Sequence, residues 1–159
     1  MKDVSGCASG TVRASGRQCF DLLIAVDEYP SWIGEYVREV HVLERDSRGH
    51  PTRARASVHV AQSPFGKDFE VELAVLPEIP GTVRLSRIAT NEDDEDRLEL
   101  VWHVERGPAA TVTLEFAARI SLLPTWLPVG SAGDAIAVAA LDAALGALEE
   151  RWSPARLRA

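Results

Sequence analysis

A single arginine occupies the apolar register of a predicted strand. Arg87 continues the alternation of Val83 and Leu85, so its side chain is predicted to lie on the same face as theirs. A guanidinium enclosed by apolar groups is costly unless it is hydrogen-bonded or paired. Arg87 therefore either binds a carbonyl, enolate or carboxylate of a ligand, or reaches the end of the sheet and pairs with an acidic residue.

Aromatic side chains supply the other candidates for chemistry. Tyr36 could donate a proton or a hydrogen bond to a ligand carbonyl, or it is an amphipathic residue at the mouth of a pocket. Trp32, Phe69 and Trp102 either line a cavity and stack on a planar ligand, or fill the core. Trp126, in the loop before the last predicted helix, either gates entry or packs its own loop.

The remaining residue types show no pattern that is typical of a cofactor or metal site. The four histidines have no metal-ligand spacing with acids or cysteines, and no phosphate loop or catalytic Ser/His/Asp or Cys/His signature is present. Cys7 and Cys19 are predicted to be small buried side chains. The run from Asn91 to Asp96 is predicted to be a solvated hairpin turn. We therefore expect no cofactor and no metal.

Length and charge limit the class of protein. The 159 residues suit one domain, expected over residues 1–152, with a disordered tail over 153–159. The net charge of −7 argues against nucleic acid and against an anionic membrane surface. No apolar run approaches the roughly 20 residues that span a bilayer, and the first residues lack a signal-peptide pattern. We predict a cytoplasmic protein without membrane insertion, either a monomer or a homodimer.

The elements that would position these residues are a strand, two short helices, six strands and a long helix. The first strand is predicted over Ser9 to Ala14 and the first helix from Phe20 to Val26, with Pro30 in the first turn of a second helix. Apolar and polar residues then alternate over 37–45, 53–61, 68–75, 83–89, 98–105 and 112–120. This alternation is typical of an antiparallel sheet with one buried face.

The last element has a helical period. Ser131 to Asp134 can cap a helix that runs to about Trp152, with a predicted apolar stripe of Val138, Leu141, Leu145, Leu148 and Trp152. We predict an α+β fold in which a seven-stranded curved antiparallel sheet holds this helix on its concave face. Because the helix is rich in alanine, it need not fill the space beneath it. Either a ligand cavity lies there, or Trp32, Phe69, Trp102 and Phe116 fill the space as core.

A resemblance to a known family rests on the motif Phe20-x6-Asp27-x-Tyr29-Pro30-x-Trp32, followed by Val40 to Glu44, a turn and six strands. This order resembles the polyketide cyclase/dehydrase branch of the START-like (SRPBCC, Bet v 1-like, helix-grip) superfamily. The resemblance covers about Ala8 to Trp152. It implies the helix-grip fold, with two short helices and a long C-terminal helix enclosing a hydrophobic cavity.

Within that superfamily, the chain is similar to the aromatase/cyclases of aromatic polyketide pathways. The similarity implies a pocket tyrosine at Tyr36, a pocket arginine at Arg87 and a pocket tryptophan at Trp102. It implies that Arg87 stabilises a developing enolate and that Tyr36 assists proton transfer.

The fourth strand departs from the family pattern. An inward serine and an inward arginine are replaced by Leu73 and Val75, and inward aromatic residues fall on Phe69 and Val71. The cavity is thus predicted to be more apolar than in those enzymes, which suits a lipid-like or less oxygenated ligand.

Three functions follow as hypotheses. The first is a cofactor-independent cyclase or dehydratase for a hydrophobic polyketide-like intermediate, whose cavity folds a flexible chain into a reactive shape. The second is non-catalytic binding or transport of a lipid or isoprenoid quinone, and the third is a partner-binding module related to ubiquinone-binding proteins. The first two need a hydrophobic small molecule as partner, with ligand contacts predicted at Trp32, Ile33, Phe69, Val71, Leu73, Val75, Leu85, Leu100, Trp102, Phe116, Trp126, Leu141 and Leu145.

Overall fold

Seven strands form one antiparallel sheet. The computed structural model describes residues 3–62, 65–78, 81–119 and 132–152. The strands are β1 (Asp3–Val12), β2 (Val37–Arg45), β3 (Pro51–Gln62), β4 (Phe65–Glu78), β5 (Thr82–Arg87), β6 (Arg97–Glu105) and β7 (Ala110–Arg119). Their spatial order is β1-β7-β6-β5-β4-β3-β2, so β1 and β2 are the two edges.

The helices are α1 (Gly16–Ile24), α2 (Tyr29–Ile33) and α3 (Ala132–Trp152), with a 3₁₀ turn over Val26–Glu28 between the first two. The long helix α3 packs mainly on β1 and β7, and α1 packs on the neighbouring strands β5 to β7. The predicted α+β class, the order of the elements and the helix-grip architecture are confirmed.

The first strand begins six residues earlier than predicted. Glycines and serines before Ser9 have weak strand propensity, so the sequence pattern alone does not mark them as strand. They are extended because each pairs with β7, from Asp3 opposite Arg119 to Val12 opposite Ala110. The pairing partner, rather than local preference, therefore sets the start of β1.

A glycine-to-glycine contact places α3 against this edge strand. A β-carbon on Gly6 would overlap the backbone carbonyl of Gly133, and one on Gly133 would overlap the carbonyl of Ser5. The Asp134 carboxylate also accepts the Cys7 backbone N–H at 3.2 Å. The start of α3 thus covers part of an edge strand whose N–H groups would otherwise be unpaired.

Side-chain hydrogen bonds fix both ends of α1, whereas α2 has no side-chain cap. Ser15 and Gln18 form a capping box at the start of α1: the Ser15 hydroxyl accepts the Gln18 N–H at 3.1 Å, and the Gln18 side chain accepts the Ser15 N–H at 2.9 Å. At the other end, the buried Tyr29 hydroxyl donates to the Leu23 carbonyl at 2.6 Å. This bond satisfies one of the carbonyls that a helix end leaves without a partner.

The buried face of α3 differs from the predicted stripe. Leu141 and Leu148 are buried as predicted, but Val138 is 47% exposed. Apart from Gly133, the remaining buried positions are alanines, namely Ala137, Ala140, Ala144 and Ala147. The prediction was wrong for Val138 because the backbone comes close to β1, so small residues occupy the contact and larger ones lie beside it.

The cysteines also differ from each other. Cys19 is fully buried in α1, as predicted, whereas Cys7 is exposed on β1, so the prediction of a second buried thiol was wrong. The position of Cys7 follows from strand alternation, since its neighbours Gly6 and Ala8 lie on the side that faces α3. None of the described helices is both long enough and apolar enough to cross a membrane.

The glycine contact generates a stability prediction. Gly133→Ala should lower the free energy of unfolding by about 1–3 kcal/mol, because the new methyl group overlaps the backbone of β1. Thermal unfolding measures the change, at about 2–4 °C per kcal/mol for a chain of this size.

Gly146→Ala is the matched control, since nothing lies within 4 Å of a β-carbon at this position of the same helix. It should raise stability by about 0.5–1 kcal/mol through helix propensity. Equal effects of the two substitutions would contradict the close contact.

Candidate functional site

The inner face of the sheet, on the side of α1 and α3, is apolar over most of its width. On β4 and β5, Val75 lies opposite Leu85 and Leu73 lies opposite Arg87. Leu85 in turn lies opposite Leu100 of β6. Since opposed residues of antiparallel strands point to the same face, Arg87 lies on the inner face among aliphatic residues. It is the only charged residue in the inward register among the described side chains of β4 to β7.

The inner face has two halves that differ in burial. At the end covered by α1, the side chains around Trp102 are almost completely enclosed, and each contributes about 1.5–3 kcal/mol by its burial. Towards the other end, a second cluster around Leu73 and Leu98 is bordered by side chains that are only half-buried. We call these half-buried residues the apolar patch; they are Val40, Val58, Phe69, Leu100 and Phe116.

Some of the predicted ligand-contact residues are fully enclosed in the structure, and others are half-buried. Fully enclosed positions are Ile33, Val71, Leu73, Val75, Leu85, Trp102 and Leu141. Half-buried positions are Trp32, Phe69, Leu100, Phe116 and Leu145. Trp126 lies outside the described residues. The half-buried group offers free apolar surface, whereas the enclosed group already packs against protein.

Arg87 forms a nearly enclosed ion pair in the loop between β5 and β6. Its Nη2 donates to Asp94 Oδ2 at 2.7 Å, and its Nη1 donates to the Asp96 carbonyl at 3.0 Å. The two side chains of the pair are 13% and 10% exposed, so solvent screens their attraction less than at an open surface. The sequence left two interpretations of Arg87, namely ligand binding and pairing with an acidic residue. The structure shows the pairing with an acidic residue.

Asp94 organises the whole loop. Its Oδ2 also accepts the Thr90 backbone N–H and the Thr90 hydroxyl, both at 2.9 Å, and its Oδ1 accepts the Asp96 N–H at 3.1 Å. The Arg87 guanidinium, with help from Thr90, holds the pKa of the Asp94 carboxyl well below its usual range. Asp94 therefore stays ionised and keeps Arg87 in place.

Sequence reasoning missed Asp94. The prediction of a solvated turn is confirmed for Asn91, Glu92, Asp93 and Glu95, which are exposed, but it was wrong for Asp94. The available signal was Arg87 itself: an inward arginine needs a counter-ion, and the nearest acidic run along the chain supplies six acidic or amide side chains. Which of them turns inward is decided by the path of the loop.

Tyr36 lies away from Arg87 on the sheet. It is half-buried, and its carbonyl accepts the His59 N–H at 2.7 Å, which puts it level with His59 on β3. Arg87 aligns with another residue of β3, because Arg87 pairs with Leu73 of β4 and Leu73 pairs with Ala54 of β3. Five residues of strand correspond to roughly 17 Å. The two predicted catalytic residues thus approach the inner face from different sides.

A cluster of three aromatic rings joins the helices to the sheet. The Trp32 ring centroid lies 4.7 Å from that of Tyr29 and 6.4 Å from that of Trp102. Burial raises the pKa of the Tyr29 phenol far above its ordinary value, and the nearby Trp102 indole N–H acts in the opposite direction. Tyr29 therefore stays protonated as the donor to Leu23, and the cluster has a structural role.

Another concavity lies on the outside of α1. It measures about 950 Å³ and is bordered by charged side chains, including Arg17, Arg48, Glu105 and Arg106. These four side chains are exposed to solvent. The described part of the chain contains no group of three or more metal-ligating side chains. The inner face is the better candidate for binding an apolar molecule.

Comparison with known proteins agrees with this geometry. Residues 12–144 match the sequence profile of the family described as "Polyketide cyclase / dehydrase and lipid transport". The chain belongs to this family. Its members share a name that covers both an enzymatic and a transport role, so membership alone does not choose between them. A search of curated proteins found no match to the sequence.

Solved structures share the fold at low sequence identity. A START superfamily protein from Mycobacterium smegmatis has a TM-score of 0.71 at 17% identity, over 94% of this chain and 99% of that one. The Zhui aromatase/cyclase from a Streptomyces species has a TM-score of 0.61 at 16% identity, over 97% and 98%. A STAR-related lipid transfer protein from Xanthomonas axonopodis has a TM-score of 0.64 at 15% identity, over 90% and 84%. These similarities show that the chain shares the fold of these proteins.

The Arg87–Asp94 pair should make stability depend on pH. The folded pKa of Asp94 lies below its unfolded value of about 3.9, so the pair stabilises the fold above that pH and stops doing so as the pH falls. Asp94→Asn should therefore be less stable than the wild-type protein at pH 7, and this difference should shrink by pH 3. Urea unfolding at both pH values measures it.

Asp93→Asn makes the same charge change at an exposed neighbouring position. It should leave the free energy of unfolding within about 0.5 kcal/mol of wild type at pH 7. A difference between wild type and Asp94→Asn that is the same at pH 7 and pH 3 would contradict the role of the ionised pair.

Proposed function

We propose that this protein binds a hydrophobic small molecule between the apolar patch and α3, and that it holds or carries that molecule. One observation carries the proposal: a continuous apolar inner face whose outer half, at Phe69, Leu100 and Phe116, keeps part of its surface free. Exposed aromatic and aliphatic side chains on a concave surface gain free energy when a ligand removes them from water.

The placement of α3 supports this proposal. The helix packs mainly on β1 and β7, at one side of the sheet, and the patch extends to β2, β3 and β4 on the other side. A helix whose buried contacts are chiefly alanine approaches the edge strand closely and does not reach across the sheet. An apolar ligand would lie between α3 and the strands on the other side of the sheet, which α3 does not contact closely among the described residues.

Names of relatives support the same class of ligand. The family description joins polyketide cyclases and dehydrases with lipid transport, and structures with this fold include a lipid transfer protein and an aromatase/cyclase. Lipids and polyketide intermediates are both built on extended carbon chains, although the polyketide chains also carry carbonyl groups. We therefore propose a lipid-like, isoprenoid-like or polyketide-like ligand.

Filling the patch tests the proposal. Leu100→Trp adds volume at a half-buried inner position, so it should reduce binding of an apolar probe such as decan-1-ol at least fivefold. Isothermal titration measures the affinity, and native mass spectrometry of the purified protein measures any retained ligand.

Leu76→Trp is the control, because Leu76 is 47% exposed on β4. It should leave binding unchanged, and circular dichroism should show both variants folded. Equal affinities for wild type and folded Leu100→Trp would contradict a site at the patch.

Catalysis is the second candidate function. It is favoured by the position of Arg87 in the inward register and by the half-buried Tyr36, whose hydroxyl has no hydrogen-bond partner among the described residues. Arg87 has five N–H donors, of which two are engaged with Asp94 and Asp96. A remaining donor would stabilise an enolate, and Tyr36 would assist proton transfer in a cyclase or dehydratase.

The catalytic candidate predicts losses of turnover. Arg87→Gln and Tyr36→Phe should each lower product formation from a polyketide-like substrate by about 10²-fold or more. Retention of unmodified ligand by the wild-type protein, with no effect of either substitution on its chemistry, would leave binding as the function.

A further inference from the structure

We propose that Asp94 makes the inner face selective for uncharged ligands, by neutralising Arg87, the one cation among the described inward side chains of β4 to β7 that an anionic head group could meet there. This inference rests on the proposed binding function and adds the chemical class of the ligand. Alcohols, ketones, esters and quinone-like molecules would bind, and free carboxylates would be rejected.

The described side chains of β4 to β7 offer an anion on the inner face no charged partner besides Arg87. Among the described side chains of β4 to β7, the inward positions besides Arg87 are apolar. A buried carboxylate without a cation or several donors is strongly disfavoured. An anionic ligand would therefore have to bind at Arg87.

Arg87 is already committed to another carboxylate. Asp94 accepts from its Nη2, and the backbone carbonyl of Asp96 accepts from its Nη1. Because Thr90 and the Asp96 N–H also fix Asp94, a ligand carboxylate cannot displace it without breaking the loop. A second carboxylate beside the same guanidinium would instead experience repulsion from Asp94.

The charges around Arg87 do not offset the repulsion between Asp94 and a ligand carboxylate. The concavity at this end of the sheet is bordered by Arg87, Arg97 and Arg119 and by Asp94, Glu95 and Asp96. Arg119 is held by both carboxylate oxygens of Asp3, at 2.6 and 2.8 Å. With Asp3 included, the described groups here carry four acidic and three basic charges. A neutral ligand with a carbonyl or hydroxyl group avoids this repulsion and can still accept from an unused Arg87 N–H.

A chain-matched pair of probes tests the selectivity. Decan-1-ol and decanoate have the same carbon count and differ in head-group charge at pH 7.5. The wild-type protein should bind decan-1-ol at least tenfold more tightly in isothermal titration. In Asp94→Asn the freed guanidinium should tighten decanoate binding at least tenfold, with decan-1-ol affinity changed less than threefold.

Two variants show that the gain comes from Arg87. Asp93→Asn changes the net charge equally at an exposed site and should not change the preference. The double variant Arg87→Gln/Asp94→Asn should lose the decanoate binding that Asp94→Asn gains. If the asparagine variant does not fold, Asp94→Ser removes the same negative charge and serves as its replacement.

The outcomes separate the two proposals. Equal binding of decanoate and decan-1-ol by wild type, or an unchanged preference in folded Asp94→Asn or Asp94→Ser, would overturn the selectivity and leave hydrophobic binding intact. Failure of wild type and of every variant to bind decan-1-ol would overturn both.

Discussion

The close packing of α3 on β1 is the constraint on which the rest of the structure depends. Gly6 and Gly133 bring two backbones together where no side chain fits, and Asp134 binds an N–H of the edge strand. This contact fixes the long helix to the β1 and β7 side of the sheet. Within the part of the chain that the structure describes, the opposite side of the inner face has apolar side chains but less cover, and these side chains form the apolar patch. A helix with bulkier contacts would lie further from β1 and change the space beneath it.

The second constraint is electrostatic. A sheet face that is apolar at nearly every inward position can include an arginine only if the charge is matched nearby. Asp94 provides the match from a loop, and Thr90 and the Asp96 N–H hold Asp94 in turn. The same pair stabilises the loop and sets the charge that a bound molecule would meet. Under our proposal, stability and ligand preference are therefore linked through one side chain.

Membership of the family leaves the choice between transport and catalysis to the site, because one fold serves both. Here two inward positions of β4, Leu73 and Val75, are both buried and apolar, and Arg87 is paired. Tyr36 and Arg87 lie about five residues apart along the sheet. These features favour holding an apolar molecule over acting on a single functional group within it.

The sequence by itself determined the class of the fold, because strict alternation marks strands without reference to any partner. It placed β2 at the observed residues, identified the helix pair around Pro30, and put Arg87 in line with Val83 and Leu85.

Three features emerge only in the tertiary structure: the start of β1, the exposed position of Val138 and the partner of Arg87. Each of these depends on which backbone or side chain comes close from elsewhere in the chain: β7 extends β1, the Gly6–Gly133 contact turns α3, and the loop after β5 brings Asp94 to Arg87. Periodicity describes which side a residue faces, whereas a counter-ion or a close backbone contact is a property of two segments at once.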